Sequence, residues 1–134
     1  MGRRGGTQFT TVRQVDARDV ARLIGVGRTI LGLVALAAPE LPSRPWVGGA
    51  VAGTAGGKVL ARALGARDLV LGLGAIGSNS RGWVAAGAVA DGLDALVTVG
   101  AFRDLPRRGR LLVLGSAGGA AIAGALALRA LPAP

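Results

Sequence analysis

The chain has 134 residues, of which 51% are hydrophobic but only 3% aromatic, and it contains 24 glycines. It therefore has the length of a single domain, and its small apolar side chains suit helices that pack closely in a bilayer better than a water-soluble core. Because cysteine and histidine are absent, thiol nucleophiles, disulfides, Cys/His metal sites and imidazole bases are excluded, and we expect no bound metal.

The charge of the chain is strongly basic: 16 Lys and Arg stand against seven acids, giving a formal net charge of +9. In a soluble domain such an excess would suggest a nucleic-acid partner. Most of these arginines flank apolar runs, as expected where helix ends meet anionic lipid head groups. We therefore expect the lipid bilayer to be the partner, and no nucleic acid.

The N-terminal part of the chain predicts a tail followed by a membrane helix. Residues 1–15 are polar, lack the apolar stretch of a secretory signal, and predict a disordered basic tail. The first helix is predicted at about residues 19–38 and ends at Pro39. Its apolar run of ~18 residues would span ~27 Å, just enough for the hydrocarbon core, although it contains Arg28.

The rest of the chain predicts three more long helices. Residues 39–46 contain three prolines and predict a loop. The glycine-rich stretch 46–57 is interpreted as a short interfacial, re-entrant or helical segment, or as the start of a long tilted helix. Further helices are predicted at about 58–78, 82–102 and 110–130. The turn between the second and third is so short that they must be antiparallel neighbours, and the last helix carries the strongest membrane signal.

Together these elements predict an all-α protein of the cell membrane. Residues 16–131 are expected to form a single multi-pass domain, a transmembrane four-helix bundle. The basic tail and the basic loop 103–110 would lie on opposite sides of such a bundle, so the positive-inside rule is nearly balanced. An extra crossing within 47–65, dual insertion as an antiparallel dimer, and a bundle oriented by its N-terminus all remain open, and we favour the last.

Five charged residues fall inside the apolar segments, where a charge costs at least ~2.5–3.5 kcal/mol unless it faces inward and pairs. They are Arg28, Arg67, Asp68, Asp91 and Asp94. We predict that they form one buried charge cluster. Their formal charges sum to −1, and Arg62 or Lys58 at the interface would bring the sum to zero.

Small residues share helix faces with these charges. The faces are Gly25, Arg28 and Gly32 on the first helix, Gly65, Asp68 and Gly72 on the second, and Gly87, Asp91, Asp94 and Thr98 on the third. Glycine allows a neighbouring helix to approach closely over a charged group, so ion pairs can form in a low dielectric. Elsewhere, Gly115 and Gly119 form the best remaining pair for close helix packing.

Asp91 and Asp94 lie three residues apart, so two ionised carboxylates would repel each other unless an arginine lies between them. Arg28 and Arg67 are the candidates. In the structural interpretation, the cluster is a buried salt-bridge lock that fixes helix order. In the functional interpretation it is a proton- or ion-linked site, or a site where an aspartate acts as acid or base on a lipid-like substrate.

The charged positions follow a pattern of a basic N-terminus, an arginine in the first helix, Ala66-Arg67-Asp68-Leu69-Val70-Leu71-Gly72-Leu73, and Ala90-Asp91-Gly92-Leu93-Asp94-Ala95. Over about residues 20–130 this pattern resembles the small DoxX-like four-helix integral membrane proteins of unknown function. The resemblance implies a four-helix membrane fold, and some relatives are accessory subunits of membrane oxidoreductases. It supplies no cofactor and assigns the internal charges no role.

The sequence therefore favours a structural or accessory membrane subunit that packs with itself or within a larger membrane complex, and it leaves open whether the protein is an enzyme. One alternative is a small proton- or ion-coupled transporter that uses Asp91 and Asp94. The other is a membrane enzyme acting on a lipid or isoprenoid, which requires an apolar pocket that reaches Asp68, Asp91 or Asp94 beside an arginine.

Overall fold

The computed structural model describes residues 17–78 and 80–130, and all the regular structure in these ranges is helical. The described residues form α1 (Ala17–Ala37), α2 (Glu40–Val47), α3 (Gly49–Ala52), α4 (Ala55–Ser78), α5 (Arg81–Gly100) and α6 (Arg107–Ala130). The predicted all-α class is thus confirmed, while the predicted tail at 1–15 lies outside the described residues. The four long helices begin at most three residues earlier than predicted and end at most two residues earlier.

Three of the described helices are long and apolar enough to cross a membrane, namely Arg18–Ala37, Arg81–Gly100 and Arg107–Arg129. Helix α4 has 24 residues but is not among them, because it carries four charged residues, Lys58, Arg62, Arg67 and Asp68. Only 11% of the span in α6 is buried within the protein. Its apolar side chains therefore need a lipid or protein environment that the described part of the chain does not supply.

Apolar side chains are distributed with the large ones outside and the small ones inside. Leu23 on α1 is 74% exposed and Leu96 on α5 is 67% exposed. Apart from Leu71 and Val84, every apolar side chain that is buried within the described helices is that of an alanine. A water-soluble bundle would bury its large side chains, so this distribution is typical of helices that face lipid and pack through small residues.

Helices α1 and α4 pack antiparallel with their backbones in contact. A Cβ atom placed on Gly32 would lie 2.6 Å from the carbonyl oxygen of Gly65, and one placed on Gly72 would lie 2.6 Å from that of Gly25. Real Cβ atoms do not approach backbone this closely, so the two predicted glycine faces meet each other directly. Helices α5 and α6 form the second extensively packed pair.

The prediction of a proline loop at 39–46 is wrong, because these residues form α2. Pro39 precedes the helix, and Pro42 lies in its first turn, where a backbone N–H has no acceptor within the helix in any case. Pro45 lies inside the helix, which ends two residues later at Val47. Prolines at these positions therefore limit the length of a helix without preventing it.

The short segment predicted at 46–57 contains α3, a helix of four residues. It follows Gly48, whose φ of 86° lies in the left-handed region that favours glycine and turns the chain between α2 and α3. The packing role suggested for Gly115 and Gly119 is not found within residues 17–78 and 80–130. A Cβ at either position meets nothing within 4 Å among the described residues, because this face of α6 points outward.

Candidate functional site

Five charged side chains on α1, α4 and α5 form one continuous hydrogen-bonded network inside the bundle. In the order of their contacts they are Asp91, Arg28, Asp68, Arg67 and Asp94. The structure thus brings together all the residues that the sequence singled out as a charge cluster. The charges alternate in sign along the network, so every arginine lies between two carboxylates.

Arg28 connects three helices. Its Nη1 donates a hydrogen bond to Asp68 Oδ1 at 2.9 Å, and its Nη2 donates to Asp91 Oδ2 and, at 2.8 Å, to the carbonyl oxygen of Gly87. Arg28, Asp68 and Asp91 are each at most 8% exposed. One guanidinium on α1 therefore pairs with a buried carboxylate on α4 and another on α5, as buried charges require.

Arg67 extends the network toward the less buried side of the bundle. Its Nη1 and Nη2 donate to Asp94 Oδ1 and Oδ2 at 2.9 and 2.8 Å, a two-pronged contact that fixes both planar groups. Its Nη2 also donates to Asp68 Oδ1 at 3.0 Å. Asp91 and Asp94 are therefore not bridged by a single arginine, since Arg28 pairs with the first and Arg67 with the second.

Small residues create the space in which Arg28 lies. Its partner Asp68 sits on α4 between Gly65 and Gly72, where the α1 and α4 backbones touch. On the α5 side, a Cβ atom placed on Gly87 would lie 3.3 Å from Arg28 Nε. The sequence placed Gly87 on the polar face of its helix. Nothing in the sequence, however, indicates that its carbonyl oxygen accepts a hydrogen bond from Arg28.

The charge balance differs from the sequence expectation, because neither Lys58 nor Arg62 joins the cluster. Lys58 Nζ pairs with Glu40 at 3.0 Å, and Arg62 Nε donates to the carbonyl oxygen of Leu36 at 3.3 Å. Within the described ranges, the three aspartates pair with two arginines only, so the network keeps a formal charge of −1. Both predicted compensating charges lie within the first eight residues of α4.

A second, exposed set of charges joins α2 to α4. Glu40 accepts from Lys58 at 3.0 Å and from Arg44 at 2.5 Å. These two cations, Lys58 first, hold the pKa of the Glu40 carboxyl below its usual value. The set attaches the short helix α2 to the start of α4 and is separate from the buried network.

A cavity of about 420 Å³ lies beside the buried network. Helices α1, α2, α3, α4 and α6 supply mostly apolar walls, while the described residues of α5 contribute only Asp91 and Asp94. Leu31, Leu60 and Leu112 line it and are each about half exposed (46%, 53% and 54%), so the cavity opens to the outer surface. Its size and its few polar groups are those of small-molecule sites.

Two carboxylate oxygens beside the cavity retain their capacity to accept hydrogen bonds. Asp68 accepts all its hydrogen bonds on Oδ1, and Asp91 accepts on Oδ2. From the described residues, no hydrogen bond reaches Asp68 Oδ2 or Asp91 Oδ1, whereas Asp94 uses both oxygens. Asp68 and Asp91 both line the cavity, so an occupant of the cavity can complete their coordination.

Trp46 also lines the cavity, and its indole Nε1 is buried without a hydrogen-bond partner among the described residues. A buried indole N–H usually has an acceptor. Nothing in the sequence connects Trp46 with the aspartates, which lie far away along the chain. The connection arises because α2 folds over the space between α1, α4 and α6.

An apolar exterior, three helices able to cross a membrane and a buried charge network indicate a helical membrane protein with an internal polar site. No family model, curated protein or solved structure matches the chain. Within the described ranges, no group of three His, Cys, Asp or Glu side chains could hold a metal ion. The class of the protein therefore follows from its own residues and geometry.

Proposed function

We propose that the chain is a small multi-pass protein of the cell membrane and that it serves as a structural or accessory subunit, with α4 as the fourth span of a four-helix bundle. The observation that carries this proposal is the continuous Arg/Asp network across α1, α4 and α5. It pairs the charges that otherwise keep α4 out of a bilayer. Lys58 and Arg62 then lie toward one end of α4, where long cationic side chains can reach the head groups.

The network suits a lock because ion pairs in a low dielectric determine how the helices are arranged more than they stabilise the fold. Removing one partner of a buried pair leaves an uncompensated charge and costs ~3–5 kcal/mol, whereas apolar replacement of both partners is often neutral. A helix docked in another register would leave Arg28 without its two carboxylates. The network therefore favours one arrangement of α1, α4 and α5.

The accessory role rests on two supports. The residue pattern resembles the DoxX-like membrane proteins, some of which are accessory subunits of larger complexes. The α6 span is only 11% buried within the chain and its glycine face is open, so this helix is available to a second copy or to another membrane subunit. We propose α6 as the helix through which the protein joins a homo-oligomer or a larger complex.

The lock is tested by comparing Arg28→Met with the double variant Arg28→Met/Asp91→Leu in detergent. The single change leaves Asp91 buried without its cation and should lower the free energy of unfolding by ~3–5 kcal/mol. The double change should cost far less, because Asp68 keeps Arg67. Arg103→Met, at an exposed arginine, is the matched control and should change stability by less than ~0.5 kcal/mol. Equal losses in the single and double variants would contradict the lock.

The four-span arrangement is tested by labelling cysteines at the two ends of α4. The chain contains no cysteine, so the unmodified protein provides a clean background. A side chain at Gly56 or at Gly77 meets open space, and Gly56→Cys and Gly77→Cys should both fold. If α4 spans the membrane, an impermeant maleimide will reach the two positions from opposite sides. Labelling of both from one side would exclude α4 as a span.

The cavity favours a second candidate, the handling of a substrate or ion. Both alternatives drawn from the sequence, a coupled transporter and a lipid or isoprenoid enzyme, require a cavity that reaches an aspartate, and this cavity reaches three. Asp94 is held on both oxygens by Arg67, so Asp68 and Asp91 are better placed than the Asp91/Asp94 pair. If proton or cation flux in proteoliposomes is unchanged by Asp91→Asn, the transporter candidate fails.

A further inference from the structure

We propose that the cavity is a binding site for a lipophilic amine, an apolar molecule with one protonated amino group that lies against Asp68 and Asp91. The proposal extends the candidate role in substrate handling, because it names the chemical class of the molecule held. It requires binding only, and neither transport nor chemistry.

The charge of the network is the first argument. Three aspartates and two arginines leave a formal charge of −1, and the two nearby cations of α4, Lys58 and Arg62, have partners elsewhere. A net charge that remains in an apolar setting is costly, even though each carboxylate has an arginine partner. One monovalent cation at the network would bring its formal charge to zero, so the site favours a ligand with a single positive charge.

The arrangement of donors and acceptors is the second argument. Both arginines already use their guanidinium groups on carboxylates and on a carbonyl, so they offer little to an anion. Within the charge network the free groups are acceptors, Asp68 Oδ2 and Asp91 Oδ1, while the free donor that lines the cavity, the indole N–H of Trp46, is not part of the network. An ammonium group carries donors and no acceptor, and therefore fits this polar end.

The walls of the cavity are the third argument. Apolar side chains of α1, α4 and α6, among them Ile24, Leu64 and Val113, surround the space next to the carboxylates. A hydrated inorganic cation would gain nothing from such walls. A compact hydrocarbon group would be removed from water there, at roughly 25 cal/mol for each Å² of apolar surface buried. The volume of about 420 Å³ is within the range of sites for small organic molecules.

The chain carries a natural reporter for this site. It has two tryptophans, of which Trp46 lines the cavity and Trp83 does not. In a Trp83→Phe background, the fluorescence of Trp46 alone can be titrated with three probes that share one hydrocarbon cage: aminoadamantane, adamantanol and adamantane carboxylate. These probes differ only in the charge and donors of the polar group.

We expect aminoadamantane to change the Trp46 fluorescence with saturation, adamantanol to bind at least ~10-fold more weakly, and the carboxylate not to bind, since a good charge-assisted contact is worth about a factor of ten or more. Equal binding of the amine and the alcohol would overturn the charge argument. Absence of binding by all three probes to folded protein would overturn the site itself.

Variants separate binding from the helix lock. Ala117→Leu fills the cavity without altering any charge and should weaken amine binding ~10-fold, while Ala125→Leu, on the same helix but exposed and outside the cavity, should leave it unchanged. Asp91→Asn should also weaken binding, with the exposed Asp104→Asn as its control. If Ala117→Leu binds the amine as the unmodified protein does, the proposal is wrong even though the lock stands. If Ala117→Leu loses amine binding while its stability is unchanged, the proposed binding site is supported regardless of the results for the lock variants.

Discussion

The two interfaces that hold Arg28 in place are built in opposite ways. Between α1 and α4 the contact is backbone on backbone, because paired glycines leave no side chain in between. Between this pair and α5 the contact is mainly made by long side chains, since Arg28 and Arg67 reach across to Asp91 and Asp94. The first interface is close-packed, whereas the second keeps its helices further apart and has a cavity of about 420 Å³ beside it.

The difference shows how a chain with few large core residues can hold its helices in a defined arrangement and still leave space for a binding site. Glycine contacts give a rigid pair without requiring large apolar side chains inside. Ionic contacts span a longer distance and hold a third helix while leaving room beside it. The rigid interface therefore supports the open one, since Arg28 and Asp68 are positioned by the glycines around them.

Apart from Arg28→Met, the largest effect should come from breaking the close-packed interface. In Gly72→Leu, even the Cβ atom would lie 2.6 Å from the carbonyl oxygen of Gly25 and 2.7 Å from the amide of Thr29, and the backbone cannot move away without separating the helices. We expect a loss of about 3 kcal/mol in the free energy of unfolding, the upper end for an overpacked interior. Thermal and denaturant unfolding in detergent measure it.

The control for this change is Gly77→Leu on the same helix, where a Cβ meets open space. It introduces the same side chain without a clash and should be close to neutral. Similar losses in Gly72→Leu and Gly77→Leu would show that leucine itself, rather than the contact with α1, causes the effect, and the contrast between the two interfaces would lose its basis.

A smaller effect is expected at the outer end of the ionic interface. Removing Arg67 leaves Asp94, whose side chain is 23% exposed, and Asp68, which keeps Arg28. Arg67→Met should therefore cost about 1–2 kcal/mol, between the values for exposed and buried pairs. Unfolding of Arg67→Met and Arg28→Met side by side checks this ranking. A larger loss for Arg67→Met would show that the less buried arginine holds α5 in place.

The smallest effect should occur at the exposed charges that attach α2 to α4. Because Lys58 and Arg44 lower the pKa of Glu40, this carboxylate stabilises the fold above its pKa in the unfolded chain, and that contribution disappears as the pH falls through its lower pKa in the folded chain. Glu40→Gln should thus melt slightly below the unmodified protein at neutral pH, and the two melting temperatures should converge in acid. A difference independent of pH would exclude the ion pairs as its cause.

Several features of the fold were readable from local sequence. Continuous hydropathy located the four long helices to within three residues. The spacing of Gly25, Arg28 and Gly32 placed a charge on a glycine face because side chains seven residues apart on a helix lie on one side. Such patterns depend only on the geometry of a single helix, so they are valid regardless of which other helices it contacts.

Other features could not be read in this way. The same logic that correctly linked Gly25 and Gly32 to packing also favoured Gly115 and Gly119, where an added Cβ atom would meet nothing within 4 Å among the described residues. Three prolines predicted a loop, yet α2 forms because two of them occupy positions where a helix tolerates proline. The residues of α6 do not specify which helix lies beside Gly115 and Gly119. The three prolines do not specify where α2 begins, and it is this start that decides whether each proline is tolerated.

The sequence by itself determined that this is an all-α protein with helices long and apolar enough to cross a membrane, and it identified the five charges that come together, because hydropathy and helical periodicity are local properties. Only the tertiary structure decided which charges pair: Arg28 with Asp68 and Asp91, and Arg67 with Asp94. It also decided that Lys58 and Arg62 do not join the network. It also decided that a cavity reaches the network. The ion pairs and the cavity both depend on the register and separation of helices that are distant in sequence. No local sequence pattern specifies that register or that separation.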